Sequence, residues 1–587
     1  MNKLLITSMV LSFSLALTAC GGGGGSEATP APVPTILPDV EISSFDDPLI
    51  GYQWYLQSIK AVSNGDYVRD GNGNLITGDT VRVAVIDTGL ELGHEDITEN
   101  ATVGASYNFF DDSNQPTPDT SLGDHGTGVS GIVAARGGNT LGGVGIAPSA
   151  ELRAFKLLNS EGGTSISISD QLAAIGYDPS NNYPDLVASD VDVFNLSYGF
   201  AVTYDPSLDS NLFNYYSQFI DGLQIGTENL RDGKGALYIK AAGNEFADID
   251  GNTGTYECVE ASDNGVTCFN VNFERDQTTP YLIPVAAYDD SEKKASFSNT
   301  GSALWISAPG VGIVTIDQSG CDQGYSRETQ NGIRTDTLIA DEDANCNYFS
   351  YFGGTSAATP IVSGVISLIL EANPQLTWRD IKHILATTAR QIDVGLTAKY
   401  LANSAIKIEQ GWIENNAGYR FSNYYGFGAV DAQAAVNMAT DNYNSLSAMQ
   451  TIEQTGNVTD SGNIPDNNAA GITETMTVNR GVNLVLESVS LKVSMSEQLG
   501  ADGFDFSDYV ITLVSPNGTE SLVMTPFTGF AKNTDVTDYP MITHAFYGET
   551  LNGDWKLKIQ DVDSQTDLAG EGELVDWSLT FYGHEEQ

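Results

Sequence analysis

Gly353-Gly354-Thr355-Ser356-Ala357-Ala358-Thr359-Pro360 runs directly into an apolar stretch from Ile361 to Leu370. Small residues followed by a long apolar run predict a turn that opens a buried helix. Ser356 then sits at the helix start, where backbone N–H groups lack intrahelical partners. A serine placed there can present its hydroxyl to a carbonyl, although taken alone it reads first as a helix cap. The chemical reading needs a base, an orienting acid and an oxyanion donor elsewhere in the chain.

Working outward, Val81 to Ile86 is a β-branched run ending at Asp87-Thr88-Gly89, the pattern of a buried parallel strand with Asp87 at its carboxyl edge. Strand-like runs follow at Leu152 to Leu157, Val191 to Leu196, Ala236 to Ala242 and Leu282 to Ala287, with helix-like stretches between several of them. This alternation predicts an α/β fold, a doubly wound parallel sheet with helices on both faces. Such sheets place their sites at the carboxyl ends of strands, so Asp87, Ser197 and Asn244 are expected to converge. Helical patterns after Ser356, from Trp378 to Thr388 and around Asp431 to Ala439 complete this part. From about Asn442 the texture turns to Asn, Asp, Gly, Ser and Thr. Val489, Leu491, Val493 and Met495, then Trp555, Leu557 and Ile559, alternate with polar residues, which predicts an all-β sandwich or barrel.

The 587 residues are 41% hydrophobic, enough for more than one core. Lys and Arg number 26 against 76 Asp and Glu, a formal charge of −50 that repels nucleic acid and anionic headgroups. At the N-terminus Lys3 precedes the apolar run Leu4 to Leu17, too short for a membrane span and shaped like an export signal. Leu17-Thr18-Ala19-Cys20 resembles a bacterial lipobox in which Cys20 carries lipid; a plain cleaved signal is the alternative. Gly21 follows without the aspartate of inner-membrane retention, so an outer-membrane or cell-surface lipoprotein is expected, touching membrane through that lipid only. The remaining cysteines pair most simply as Cys258 with Cys268 and Cys321 with Cys346, and the sequence leaves other pairings open. The division expected is signal 1–20, flexible tether 21–44, α/β domain 45–441 and β-sandwich 442–587.

In Gly123-Asp124-His125-Gly126-Thr127-Gly128 a histidine opens a helix-like run among small residues. The chain order Asp87, His125, Ser356 is that of the subtilisin triad. Val85-Ile86-Asp87-Thr88-Gly89, His125-Gly126-Thr127, Ala242-Gly243-Asn244 and Gly354-Thr355-Ser356-Ala357-Ala358-Thr359-Pro360 together resemble the catalytic blocks of subtilisin-like serine proteases. The resemblance covers most of residues 47–440, and Tyr425 to Ala432 resembles the usual end of that fold. It implies Ser356 as nucleophile, His125 as general base, Asp87 as its orienting acid and Asn244 as oxyanion donor. It further implies a polypeptide substrate, with Ser197-Tyr198-Gly199 walling the pocket for the residue before the cut and Gly163-Thr164-Ser165 pairing with an extended chain.

The same resemblance suggests a structural calcium site from Asp96, Asn139 and the carbonyls of Arg136, Leu141 and Gly143, and no organic cofactor. His94 reads as structural. Asp508 to Thr519, Gly553-Asp554-Trp555 and Gly572 to Trp577 resemble the P-domain of kexin and furin relatives. Those relatives often cut after basic residues, and the acidic charge is compatible with that. Yet Ser197-Tyr198-Gly199-Phe200-Ala201-Val202 lacks the acidic segment they carry, which speaks against strict paired-basic specificity; Asp276 stands near the position of another specificity acid of those relatives and is a candidate by that resemblance. The tether is too short for a folded propeptide, so folding calls for a separate chaperone or inhibitor, or proceeds unaided. A catalytically silent surface adhesin and a serine esterase or transferase are the competing functions.

Overall fold

The computed structural model describes residues 44–119, 124–159, 167–199, 210–247, 258–328, 334–441, 443–459, 463–466, 468–482, 484–497, 505–529, 535–562 and 572–586. The signal segment, Cys20, nearly all of the tether, and Gly163, Thr164 and Ser165 lie outside the described residues.

The expected strands are present as β1 (Arg82–Asp87), β3 (Glu151–Lys156), β4 (Val193–Leu196), β5 (Leu237–Ala241) and β6 (Leu282–Tyr288), joined by the short β2 (Tyr107–Asn108) and β7 (Ile306–Pro309). They form one seven-stranded sheet in the order β2-β3-β1-β4-β5-β6-β7, parallel throughout. Val83 of β1 faces Leu152 on one side and Val193 on the other, so β1 is central. Side chains alternate between faces along a strand, yet β5, β6 and β7 are buried at every position, which requires cover on both sides.

Helix α1 (His125–Ala134) and helix α3 (Thr355–Ala372) pack against each other. All of α1, and α3 from Thr355 to Leu370, are buried. Helix α3 is long and apolar enough to cross a membrane, but it lies inside the protein. Between them in sequence are α2 (Ile168–Ala174) and a helical segment Ser210–Gly233 that is broken at Leu230–Asp232. The Tyr238 hydroxyl of β5 reaches the Ile175 carbonyl at 2.9 Å, passing Gly226, where a Cβ would collide with it. Helix α4 (Trp378–Thr388) opens with a capping box between Thr377 and Asp380, and α5 (Ala432–Thr440) is capped by Asp431. Both local disulfides, Cys258–Cys268 and Cys321–Cys346, are formed.

The C-terminal part comprises β8 (Met449–Thr455), β9 (Ile472–Val478), β10 (Leu484–Glu497), β11 (Tyr509–Val514), β12 (Glu520–Met524), β13 (Val536–Thr543), β14 (Gly553–Asp561) and β15 (Gly572–Glu585). They make two four-stranded sheets, β8-β15-β10-β13 and β9-β14-β11-β12. Val489, Leu491, Val493 and Met495 meet Trp555, Leu557 and Ile559 and also Trp577 and Leu579 in one core, as the alternation requires. Pro540 is tolerated because β13 is an edge strand. Strand β11 is apolar on both faces for a tertiary reason. Ile511 and Leu513 enter the sandwich core, whereas Val510 joins Leu522, Cys258, Cys268, Ile406 and Ile408 against the α/β part.

Polar contacts complete that docking. Asn272 donates to the Val523 carbonyl (3.1 Å) and accepts from the Ile542 N–H (2.9 Å). Arg379 of α4 donates Nε to Glu487 Oε2 at 2.9 Å, and His584 Nδ1 lies 2.7 Å from Glu487 Oε1. Burial pushes the Glu487 carboxyl up, but the bonds from His584 and Arg379 outweigh it and hold the group below its ordinary range. A depressed acid contributes stability at neutral pH that disappears as pH falls through its folded pKa. Glu487→Ala strands a buried guanidinium and is expected to destabilise the protein by about 3–5 kcal/mol at neutral pH. Chemical denaturation should show that gap narrowing in acid; a constant gap would contradict the ionic origin.

Candidate active site

Strand β1 delivers Asp87 to the carboxyl edge of the sheet, where it is 1% exposed. His125 stands at the first position of α1, with Nδ1 2.9 Å from Asp87 Oδ1 and 3.0 Å from Oδ2. The approach depends on Gly126, since a Cβ there would lie 2.2 Å from the Gly89 carbonyl oxygen and 3.1 Å from Asp87 Cβ. Asp124, which the sequence reading quoted without a role, caps α1 by accepting from Thr127 N–H at 3.0 Å and also accepts from Thr88 Oγ1. Its signal was the local Asp-His-Gly-Thr spacing of a helix cap. Burial lowers the His125 pKa, but the charge and hydrogen bond of Asp87, with a further push from Asp124, carry it above the usual value. Among the described residues, His125 is the histidine held by Asp87; His94 is buried between the Asn347 carbonyl (3.0 Å) and the Asp96 N–H (3.1 Å), a structural role as expected.

The His125 ring packs on Phe352 with centroids 5.5 Å apart, just before the turn that leads to Ser356. Gly354 takes φ +101°, a backbone state that favours glycine, and α3 starts at Thr355. The Ser356 hydroxyl donates to the Ser197 carbonyl at 2.9 Å, and Ser197 Oγ donates back to the Ser356 carbonyl at 3.0 Å. That carbonyl is available because Pro360, four residues on, has no N–H to fill it. Asn195 in turn donates to Ser197 Oγ at 2.9 Å.

Asn244 follows β5. Its Oδ1 accepts from Thr355 N–H (2.8 Å) and Thr355 Oγ1 (3.0 Å), which fixes the amide and leaves Nδ2 pointing elsewhere. A Cβ on Gly354 would lie 3.3 Å from Asn244 Nδ2 and 3.5 Å from the Ser356 nitrogen. The Ser356 N–H has no backbone acceptor among the described residues. Two donors therefore border one small space that glycine keeps open, an arrangement suited to a developing oxyanion.

Tyr198 is buried, and Gly199 abuts Glu274, whose Oε1 lies 2.6 Å from where a Gly199 Cβ would be. Asp276 is also buried, 1% exposed, and linked to Lys240 at 3.9 Å. Burial raises Asp276 to about 7, against the opposing charge of Lys240. Neither Lys240 nor Glu274 was singled out from sequence, and the only signal was a lysine inside the buried run Leu237–Ala241.

Around Asp96, Oδ1 accepts from Asn139 Nδ2 at 2.8 Å, while Oδ2 is buried without a partner among the described residues. Burial, with Asp47 nearby, pushes the carboxyl up to about 8. Gly142 is held at φ +47°, and a Cβ there would reach within 2.5 Å of Asp96 Oδ2. An orphaned carboxylate oxygen beside a glycine-lined loop fits a hard cation bound by oxygens. One detail departs from expectation. Asn139 Oδ1 accepts from Leu141 N–H at 2.9 Å, so its amide nitrogen faces Asp96 and must turn over to act as a ligand. No cluster of three or more His, Cys, Asp or Glu residues suited to a metal occurs among the described residues, so such a site relies on main-chain oxygens.

Comparison with known proteins finds relatives over most of the chain. Residues 78–428 match the model of the subtilase family, and residues 495–581 match that of the proprotein convertase P-domain. The chain is 31% identical to the Aeromonas extracellular serine protease of Aeromonas sobria, over 92% of this chain and 91% of that one. It is 26% identical to kexin of Saccharomyces cerevisiae, over 94% of this chain and 59% of kexin. The Aeromonas sobria serine protease, solved in complex with the chaperone ORF2, superposes with a TM-score of 0.77 at 29% identity, covering 94% of this chain and 96% of that one. With a buried acid–histidine pair, a serine at a helix start and these matches over most of its length, the chain belongs to the subtilase family and is a serine endopeptidase with a P-domain.

Proposed function

We propose that the chain is an exported endopeptidase in which Asp87, His125 and Ser356 act as a catalytic triad and Asn244 as an oxyanion donor, within a catalytic domain spanning 45–441. The observation that carries this reading is the pair of donors, Asn244 Nδ2 and Ser356 N–H, that border one space at the start of α3, just after Phe352, on which the Asp87-bonded His125 packs. The Ser356 hydroxyl turns from the Ser197 carbonyl toward His125 and attacks the peptide carbonyl as His125 Nε2 takes its proton. Asp87 holds the ring through Nδ1 and stabilises the imidazolium. The carbonyl oxygen becomes an oxyanion that accepts from Asn244 Nδ2 and Ser356 N–H. His125 then passes its proton to the leaving amine, and water releases the acyl group by the same steps.

With a mixed peptide library as substrate, Ser356→Ala should abolish cleavage, and Asn244→Ala should lower kcat by about 10²–10³-fold with little change in KM. Equal cleavage by Ser356→Ala would sink the triad, whereas no cleavage by the folded wild type would favour the adhesin reading. Because His125 must be unprotonated and its pKa is raised, kcat/KM should fall in acid with an inflection above the usual histidine value, and Asp87→Asn should move that inflection down.

The loop at Asp96 is proposed to hold Ca²⁺, with Asp96, Asn139 and the carbonyls of Arg136, Leu141 and Gly143 as ligands. When bound, the ion neutralises a buried carboxylate and ties the loop together. Chelation should lower the thermal midpoint of the wild type and Ca²⁺ should restore it, whereas Asp96→Asn should abolish the Ca²⁺-dependent shift. A midpoint indifferent to chelator and Ca²⁺ alike would refute the site.

Export is supported by the extracellular description of the Aeromonas relative and by the Leu4 to Leu17 segment. Attachment through lipid on Cys20 predicts an acyl mass that Cys20→Ser lacks. A separate chaperone is proposed on the strength of the complex seen for the Aeromonas sobria protease.

A further inference from the structure

Behind the Ser197–Gly199 segment lies a charge cluster that the chemistry above does not use. Lys240 of β5 is fully buried. Its ammonium donates to the Tyr198 carbonyl at 2.5 Å and to Glu274 Oε2 at 3.1 Å, lies 3.9 Å from Asp276 Oδ2, and stands 5.4 Å from the Tyr198 ring centroid. Asp276 Oδ1 is buried with no hydrogen-bond partner among the described residues. Glu274 keeps 15% of its side chain exposed and presses on Gly199, while its other oxygen also accepts from Gln277.

These groups adjoin the reacting serine through one short segment. The Ser197 carbonyl holds the Ser356 hydroxyl, the Tyr198 carbonyl holds Lys240, and Gly199 touches Glu274. On the protease reading proposed above, the substrate side chain before the cut bond would lie beside that segment. Lys240, from the sheet itself, sets a cation 3.1 Å from Glu274 and 3.9 Å from Asp276 and offsets the cost of burying their charge.

Resting on the protease reading above, we propose that Lys240 is a built-in counter-ion, taking the place a basic substrate side chain would otherwise fill between Glu274 and Asp276, and so directs cleavage after uncharged residues. Lys240 would then be a specificity-determining residue that does not touch the reacting atoms.

The test compares peptides that differ only in leucine or arginine before the cut. Lys240→Ala should raise the arginine-to-leucine ratio of kcat/KM by about tenfold or more relative to wild type. Lys240→Ala/Glu274→Gln/Asp276→Asn should show no such rise. Should Lys240→Ala fail to fold, Lys240→Met/Asp276→Asn removes one charge of each sign, leaves Glu274 against Gly199 and should still raise the ratio. A second arm does not depend on turnover. In a Ser356→Ala background, benzamidine should bind the Lys240→Ala protein measurably by calorimetry and the lysine-bearing protein at least about tenfold more weakly. A folded Lys240 variant with an unchanged ratio and no gain in benzamidine binding would overturn the proposal, as would a wild type that already favours arginine. Failure of the protease reading is distinguishable, because cleavage by Ser356→Ala would match wild type while the benzamidine arm still reports on the cluster.

Discussion

The start of α3 is the constraint on which the site depends. Gly354 at φ +101° turns the chain into the helix, Asn244 accepts the first N–H through Thr355, and Pro360 leaves the Ser356 carbonyl to the Ser197 hydroxyl. Each of these uses an unfilled group at the end of a helix, where the backbone has donors and acceptors to spare. One strand end, one loop and one helix are thereby tied together.

A strongly acidic chain makes its few cations valuable. With 26 basic residues against 76 acidic ones, several are found inside rather than on the surface. Arg379 sits against Glu487 at the docking face, Arg153 is buried beside Glu151 and Asp190, and Lys240 lies among Glu274 and Asp276. Buried carboxylates without such partners are driven toward the neutral form, as Asp96 is. Internal counter-ions and a bound cation are thus alternative answers to one problem. Lys240 answers it one segment away from Ser356, and the loop at Asp96 is suited to a metal.

The docking of the β-sandwich follows the same economy of surface. Strand β11 buries one face in the sandwich and the other against the Cys258–Cys268 region, where Gly529 lets its backbone approach both sulfurs. The Gly529 N–H donates to the Cys268 carbonyl at 2.9 Å. A sheet that would otherwise expose an apolar face is covered by the other half of the chain, which explains why β11 carries apolar residues on both faces rather than on one.

Much of this was legible in residues alone. Asp87, His125, Asn244 and Ser356 each sit where a buried element ends, so short motifs located them, and both disulfides close over 10 and 25 residues, within reach of local reasoning. The alternation of strand and helix gave the parallel sheet because burial on both faces writes itself into continuous apolar runs. What the linear order withheld are the relations that arise only when strands lie side by side. Lys240 and Glu274 are brought together when β5 packs beside β6 and the following segments fold back, and no spacing announces their meeting. The reciprocal bonds of Ser197 and Ser356, the orientation of the Asn139 amide and the second buried face of β11 are of the same kind. Sequence alone determined which chemical groups stand at the ends of elements, since that is set by local backbone geometry. Tertiary structure decided which charges face one another near Ser356, since a buried charge answers to its neighbours in space.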